Sequence, residues 1–184
     1  MTVLLVLATF LVFIVLDYAM NRRKEVAVAR EATQPVPAAI GGEIVGGFHV
    51  PEAVSYHPGH SWLVRERKNV VRVGADEFAT ALLGKIDRIE LPKPGAWIRQ
   101  GQKILSFYRD GVKTEMVSPT EGEVMEVNAE LLQNPAALRQ DPYGKGWLLA
   151  VHVPDEENTS RNLLPRNMIG QWMRDAVERL YAAQ

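Results

Sequence analysis

Apolar and polar residues are arranged differently in three parts of the chain, and each pattern predicts a different kind of element. Residues 1–16 (MTVLLVLATFLVFIVL) contain no charged side chain. Residues 63–153 contain short β-prone runs between turn-forming residues, which is typical of antiparallel strands. Residues 168–181 place apolar side chains at steps of one and three residues, as an amphipathic helix does. The sequence therefore predicts a mainly β domain between an apolar N-terminal segment and a C-terminal helix.

Residues 101–128 (GQKILSFYRDGVKTEMVSPTEGEVMEVN) are predicted to form the centre of the β domain. Apolar runs lie on both sides of Asp110 and Gly111, which tolerate the positive φ angles of a two-residue type I′ turn. This pattern predicts a tight hairpin with its turn at Asp110-Gly111. Residues 118–122 (SPTEG) form the next turn, and a third strand begins at Glu123.

The remaining elements are placed by turn and cap signals. Gly84 ends a short helix that begins near Asp76, and Pro135 lies inside a short irregular helix. The predicted elements are a hairpin over residues 63–73, the helix over 76–83, a strand over 86–91, the irregular helix over 131–138 and a closing strand over 147–153.

Seven short motifs follow one another across the β-rich part of the chain. They are residues 56–62 (YHPGHSW), 73–79 (VGADEFA), 83–86 (LGKI), 90–95 (ELPKPG), 118–124 (SPTEGEV), 126–128 (EVN) and 141–148 (DPYGKGWL). Together they resemble the glycine cleavage system H protein, a lipoyl-carrying family with the biotinyl/lipoyl-attachment hammerhead fold. The resemblance implies a lipoyl-type β-sandwich with short helices.

The same resemblance implies a carrier lysine at the hairpin tip, which the family usually has within Glu-Ser-Val-Lys-Ala. An ungapped count along residues 101–128 places that lysine at Gly111, and the nearest lysine is Lys113. We therefore expect Lys113 to be an unmodified, solvated strand residue and the protein to have no cofactor. The alternative is lipoate bound covalently to Lys113. The residues at the tip are Tyr108, Arg109, Asp110 and Gly111.

The apolar N-terminal segment predicts a single membrane anchor over residues 1–20. Its positive charges follow the apolar run, whereas a cleavable signal peptide carries them before it. By the positive-inside rule, the charges that follow hold the domain on the cytoplasmic side of the inner membrane. The residues of this prediction are Val3, Leu4, Leu5, Phe10, Phe13 and Leu16 for the anchor and Arg22, Arg23 and Lys24 for the topology.

Four segments follow from these patterns. The anchor precedes a basic segment and linker over residues 21–55, which is rich in Ala, Val, Pro and Gly. Ile44, Val45, Phe48 and Val50 are more apolar than a free linker needs, so docking of this segment is the alternative. The H-protein-like domain covers residues 56–154, and a polar connector and helix cover residues 155–184.

Composition excludes several functions. The chain has 184 residues, a formal net charge of −1 and no cysteine, so basic nucleic-acid surfaces, disulfides and thiol chemistry are not expected. The four histidines are His49, His57, His60 and His152, and their spacing does not predict a metal site. The carboxylate pairs Asp76-Glu77 and Glu121/Glu123 are not placed with a nucleophile or a histidine base. We expect no enzyme activity.

Two hypotheses of function remain. The first is a membrane-anchored, H-protein-like module, without a lipoyl arm, that acts as a structural or binding subunit of a membrane-associated complex. The second is a lipoyl carrier that is modified at Lys113 and shuttles an aminomethyl group or electrons between partner enzymes.

Deleting residues 1–20 is expected to leave a soluble, folded domain, because the anchor and the first part of the linker contribute few residues that a β core needs. Circular dichroism and thermal unfolding of the truncated chain check this expectation. A truncated chain that aggregates while the full chain stays folded in detergent would contradict the predicted domain boundary.

Overall fold

Antiparallel strands build most of the fold in the computed structural model, which describes residues 41–155 and 159–182 together with Phe13. The strands, in chain order, are β1 Glu43–Val45, β2 Phe48–Val50, β3 Ser55–Tyr56, β4 Ser61–Arg67, β5 Val70–Ala75, β6 Arg88–Glu90, β7 Trp97–Ile98, β8 Lys103–Arg109, β9 Val112–Val117, β10 Gly122–Val127 and β11 Leu149–His152. The helices are α1 Glu77–Leu83, α2 Ala129–Gln133, α3 Ala137–Gln140 and α4 Arg166–Ala182. The mainly β prediction is confirmed.

Two sheets enclose the larger core. The first has the strand order β3-β4-β5-β11-β10-β7 and the second has the order β6-β8-β9, while β1 and β2 form a separate hairpin. Alternation along the strands turns Leu105 and Phe107 of β8 inward, and both are at most 1% exposed. They belong to the same buried cluster as Val124 of β10 and Val151 of β11. The small sheet therefore packs its apolar face against the large sheet and leaves its other face to solvent.

A second buried cluster joins the N-terminal hairpin, the large sheet and α4. Trp62 and Met173 are completely buried in it, and a Cβ atom on Gly46 would lie 2.9 Å from Val177 Cγ2. A glycine at this position lets the β1–β2 turn approach the helix closely. Residues 43–50 of the predicted linker thus form a docked hairpin, and α4 uses its apolar stripe to pack against the domain.

The irregular helix predicted over residues 131–138 is two helices, α2 and α3. Pro135 has no N–H to donate and disfavours a helical conformation in the preceding residue, so the first helix ends at Gln133 and is followed by the cap Asn134. The closing strand is also shorter than predicted, because the segment before Leu149 follows the turn at residues 141–146.

The predicted membrane anchor lies outside the residues that the structure describes. No helix within residues 41–155 and 159–182 is both long and apolar enough to cross a membrane. Phe13 is described as a helical residue with 72% of its surface exposed. The anchor and topology residues that are not described are Val3, Leu4, Leu5, Phe10, Leu16, Arg22, Arg23 and Lys24.

Asn128 ties the start of α2 to the segment before β11, and this contact yields a stability prediction. Its side-chain oxygen accepts from Leu131 N–H at 3.1 Å, and its amide nitrogen donates to the carbonyls of Lys145 and Trp147, each at 2.8 Å. Asn128→Ala is expected to lower the free energy of unfolding by about 3 kcal/mol, because it removes a helix cap and leaves two carbonyls without this donor. Urea unfolding measures the loss.

Asn128→Ser is the matched control, since serine keeps a cap acceptor but lacks the amide donors. It should lose about half as much stability. Equal losses for the two variants would show that the cap contributes nothing.

Candidate functional site

The β8–β9 hairpin ends in the turn that the sequence predicts. Asp110 and Gly111 have φ angles of 50° and 78°, which are the left-handed values of a type I′ turn. Arg109 and Val112 pair on either side of the turn, and Tyr108 pairs with Lys113. The predicted tip residues Tyr108, Arg109, Asp110 and Gly111 are therefore together, and Lys113 lies one pair below the turn.

Neighbouring segments hold this turn in place. Asp110 N–H donates to the carboxylate of Asp87 at 2.8 Å, and Asp87 N–H donates to the carbonyl of Tyr108 at 2.8 Å. The Arg109 guanidinium donates to the carbonyl of Leu83 at 3.2 Å, at the end of α1. These bonds restrain the tip against both β6 and α1, so the direction of the tip is defined.

Lys113 projects from the solvent-facing side of the small sheet. Its ammonium nitrogen lies 2.7 Å from a carboxylate oxygen of Glu115, two residues along the same strand, and its side chain is 44% exposed. This hydrogen bond raises the pKa of Lys113 above its ordinary value and lowers the pKa of Glu115. An exposed pair of this kind is weakly held and can open readily.

The surface beside Lys113 is polar and organised. The Tyr108 hydroxyl donates to Glu90 at 2.6 Å, and the Arg88 guanidinium lies 4.0 Å from the centre of the Tyr108 ring. The hydrogen bond raises the pKa of Tyr108 and lowers the pKa of Glu90. Lys113 therefore has a structured polar surface on its β8 side.

The opposite side of the hairpin borders an apolar cleft. The cleft has a volume of about 240 Å³, and Val112, Thr114 and Met116 of β9 contribute to its wall together with Leu82 and Phe107. Since neighbouring residues of a strand face opposite sides, Lys113 points away from this cleft. The hairpin thus separates a polar face, with charges of both signs, from an apolar one.

The histidines and carboxylates singled out from the sequence do not form a catalytic group. His60 Nδ1 lies 2.7 Å from the Asp76 carboxylate, which also accepts from Ala79 N–H at 2.7 Å and so caps α1. Asp76 is completely buried and has His60 beside it, whereas the sequence placed no histidine with this carboxylate. Within residues 41–155 and 159–182, no group of three or more His, Asp or Glu side chains is placed to hold a metal ion.

The sequence count missed a local pattern around Lys113. Asp110, Val112 and Lys113 match the spacing of Glu, Val and Lys in the family segment Glu-Ser-Val-Lys-Ala. Counting from distant glycines and prolines places the family lysine at Gly111, whereas the immediate neighbours of Lys113 resemble those of the family lysine. The acidic residue three positions before Lys113 is the feature that the count did not use.

The turn geometry gives a second stability prediction. Gly111→Ala is expected to lower the free energy of unfolding by about 1 kcal/mol, because an L-residue is disfavoured at positive φ. A Cβ atom at Gly111 would meet no atom within 4 Å, so the loss is a backbone effect alone. Chemical denaturation measures it. Asp110→Asn is the control and should be nearly neutral, since asparagine tolerates the same conformation; a loss as large as that of Gly111→Ala would contradict the assigned turn.

Comparison with known proteins matches most of the described chain to one family. The family model described as glycine cleavage H-protein matches residues 54–176. The glycine cleavage system H protein of Mycobacterium leprae is 36% identical over 106 residues, which are 58% of this chain and 80% of that protein. The H protein of Carboxydothermus hydrogenoformans is 32% identical over 118 residues, which are 64% of this chain and 90% of that protein.

The fold agrees with these sequence matches. The crystal structure of a glycine cleavage system H protein from Mycobacterium marinum superposes with a TM-score of 0.59 and 25% identity, and the match covers 69% of this chain and 98% of that protein. Because proteins of this family carry covalently bound lipoate, these matches overturn the expectation that the protein has no cofactor. Counting to Gly111 was too narrow a basis for that expectation. The chain belongs to the glycine cleavage H-protein family.

Proposed function

We propose that this protein is a lipoyl carrier of the glycine cleavage type and that Lys113 is its attachment residue. The observation that carries the proposal is an exposed lysine beside the turn of the β8–β9 hairpin, preceded by Asp110 and Val112 at the family's spacing. Membership of the family supports the carrier function. In this role the domain carries the lipoyl group between enzymes and does not itself catalyse a reaction.

The residues around Lys113 fit a covalent lipoyl group. The amine lies on an exposed strand, and its bond to Glu115 can open at little cost because both groups are in contact with solvent. The amine lies 2.7 Å from the carboxylate of Glu115 and must lose its proton before an amide can form. The restrained turn presents the lysine in a constant direction, and the polar face of Tyr108 and Glu90 supports the surface that a modifying enzyme would contact.

When bound, lipoate supplies a dithiolane that can be opened to carry an aminomethyl group or two electrons. The part of this chain is to hold the attachment point and to present it to partner enzymes. Fixed placement of the lysine matters because an arm swings about its anchor point and reaches only sites within its length. Proteins of the glycine cleavage system are the proposed partners.

The location at a membrane is a further part of the proposal. Its support is the uncharged run of residues 1–16 followed by Arg22, Arg23 and Lys24. This arrangement favours a single-pass anchor in the inner membrane with the domain on the cytoplasmic side. An anchored carrier would diffuse only within the membrane plane, and it would stay close to partners at the same membrane.

Mass spectrometry of the protein from its own host tests the attachment. A peptide containing Lys113 is expected to have the added mass of a lipoyl amide, and trypsin is not expected to cleave after that residue. Lys113→Arg should abolish the added mass and leave the unfolding curve unchanged, since the side chain at this position is exposed. Lys103→Arg is the matched control on β8 and should be modified normally. A bare Lys113 peptide from cells that lipoylate their other carriers would contradict the proposal.

A second candidate is a structural or binding subunit of a membrane-associated complex. The observation that favours it is Gly111, which lies at the tip where an ungapped count places the family lysine. This role depends on the surfaces of the domain and not on a group at Lys113. Gly111→Lys combined with Lys113→Arg distinguishes the candidates, because modification of this variant alone would show that only a lysine at the tip is recognised.

A further inference from the structure

Strand β9 forms an edge of the small sheet. Among the strands that the structure describes, β9 pairs only with β8 in the order β6-β8-β9, and residues 112–115 are exposed. The open part of the edge ends near Val117, because a Cβ atom on Gly59 would lie 2.6 Å from Val117 Cγ2. A short, exposed stretch of strand is thus available for pairing.

The backbone groups that face outward on this edge can be assigned. Tyr108 uses its carbonyl to accept from Asp87 N–H on the β6 side, so it does not bond to its partner Lys113 on the β9 side. In an antiparallel pair, bonded and non-bonded positions alternate. Lys113 forms a non-bonded pair with Tyr108, and Glu115 forms one with Ser106. Lys113 and Glu115 therefore direct their backbone N–H and C=O groups away from β8.

Edge strands usually avoid pairing by carrying a charge, which repels an identical strand. This edge carries Lys113 and Glu115, two charges of opposite sign two residues apart on the same face. If a second copy of β9 pairs antiparallel about Thr114, each Lys113 lies opposite the partner's Glu115. In this arrangement the opposite charges of the two copies attract each other. An edge that carried charges of one sign only would repel its own copy.

We propose that, as long as Lys113 has its free amine, the β9 edge is a self-association surface, on which a second copy of this chain pairs antiparallel about Thr114. The two sheets join into one six-stranded sheet with β9 beside β9 at its centre. Lys113 and Glu115 form the bonded pairs, so their outward N–H and C=O groups find partners. Val112, which is 66% exposed in the single chain, lies opposite Met116 of the second copy. The contact is small, so the association is expected to be weak and reversible.

Cysteine cross-linking tests the register, because the natural chain has no cysteine. In the full chain, Thr114→Cys places two thiols opposite each other in a non-bonded pair, with Cα atoms about 4.5 Å apart. This distance suits a disulfide. Val112→Cys is the matched control on the same strand: its two copies would lie about 13 Å apart along the paired strands. Under mild oxidation, non-reducing gels should show a disulfide-linked dimer for Thr114→Cys and at least roughly fivefold less of it for Val112→Cys.

Charge exchange tests the attraction. All variants carry Thr114→Cys, and all chains, including the reference, are made without lipoate so that Lys113 keeps its charge. With Lys113→Arg the opposite charges remain and dimer formation should be unchanged. Lys113→Glu alone, or Lys113→Arg with Glu115→Arg, puts like charges opposite each other and should slow dimer formation by roughly fivefold or more. Lys113→Glu with Glu115→Arg exchanges the charges and should restore it.

The outcomes separate this inference from the proposed lipoylation. Lys113→Arg keeps the positive charge on β9 but cannot be modified, so dimer formation in that variant does not depend on lipoate. Equal cross-linking of the two cysteine variants, or failure of the exchanged pair to restore the dimer, would overturn the self-association. Cross-linking to a different host protein in place of a second copy would overturn it as well. A bare Lys113 in mass spectrometry would affect only the proposed function.

Discussion

The register of the β8–β9 hairpin is the constraint on which the functional face of this protein depends. Strand side chains alternate between faces, so a shift of one residue would move every one of them to the other side. The two-residue turn at Asp110 and Gly111 prevents that shift, and the bonds to Asp87 and Leu83 hold the turn in position. As a result Phe107 fills the core, Thr114 borders the cleft and Lys113 faces solvent.

Local signals predicted the parts of the fold that depend on neighbouring residues. The Asp110-Gly111 pair predicted the hairpin, and the apolar stripe of residues 168–181 predicted the long C-terminal helix. Docking of the N-terminal segment was only the alternative to a free linker, because the place of this hairpin depends on contacts with distant residues. Phe48 packs on Phe78 with ring centres 5.3 Å apart, and Gly46 lies against Val177. Short apolar runs in a segment rich in Gly and Pro do not show which distant surface will cover them.

In the candidate site, too, only the features that depend on neighbouring residues were predicted. The tip residues were predicted correctly as a turn, since the turn chemistry is local. For the position of the family lysine, counting along the chain and comparing the neighbouring residues give positions two residues apart, Gly111 and Lys113. The structure adds what neither comparison contains, namely the face from which Lys113 projects and the carboxylate that it contacts. A strand position also differs from a tip position in its backbone, because Lys113 has paired residues on one side and an open edge on the other.

The N-terminal hairpin gives the domain a physical connection that the family match alone does not include. The family model begins at residue 54, while β1 and β2 precede it and contribute buried side chains to the cluster around Trp62. Tyr143 donates from its hydroxyl to the carbonyl of His49 at 3.0 Å, which fixes β2 to the turn before β11. Packed side chains and a hydrogen bond therefore fix the β1–β2 hairpin to the core. Because Phe78 of α1 packs on Phe48 and the carbonyl of Leu83 accepts from Arg109 of β8, the two ends of one short helix contact the β1–β2 hairpin and the β8–β9 hairpin.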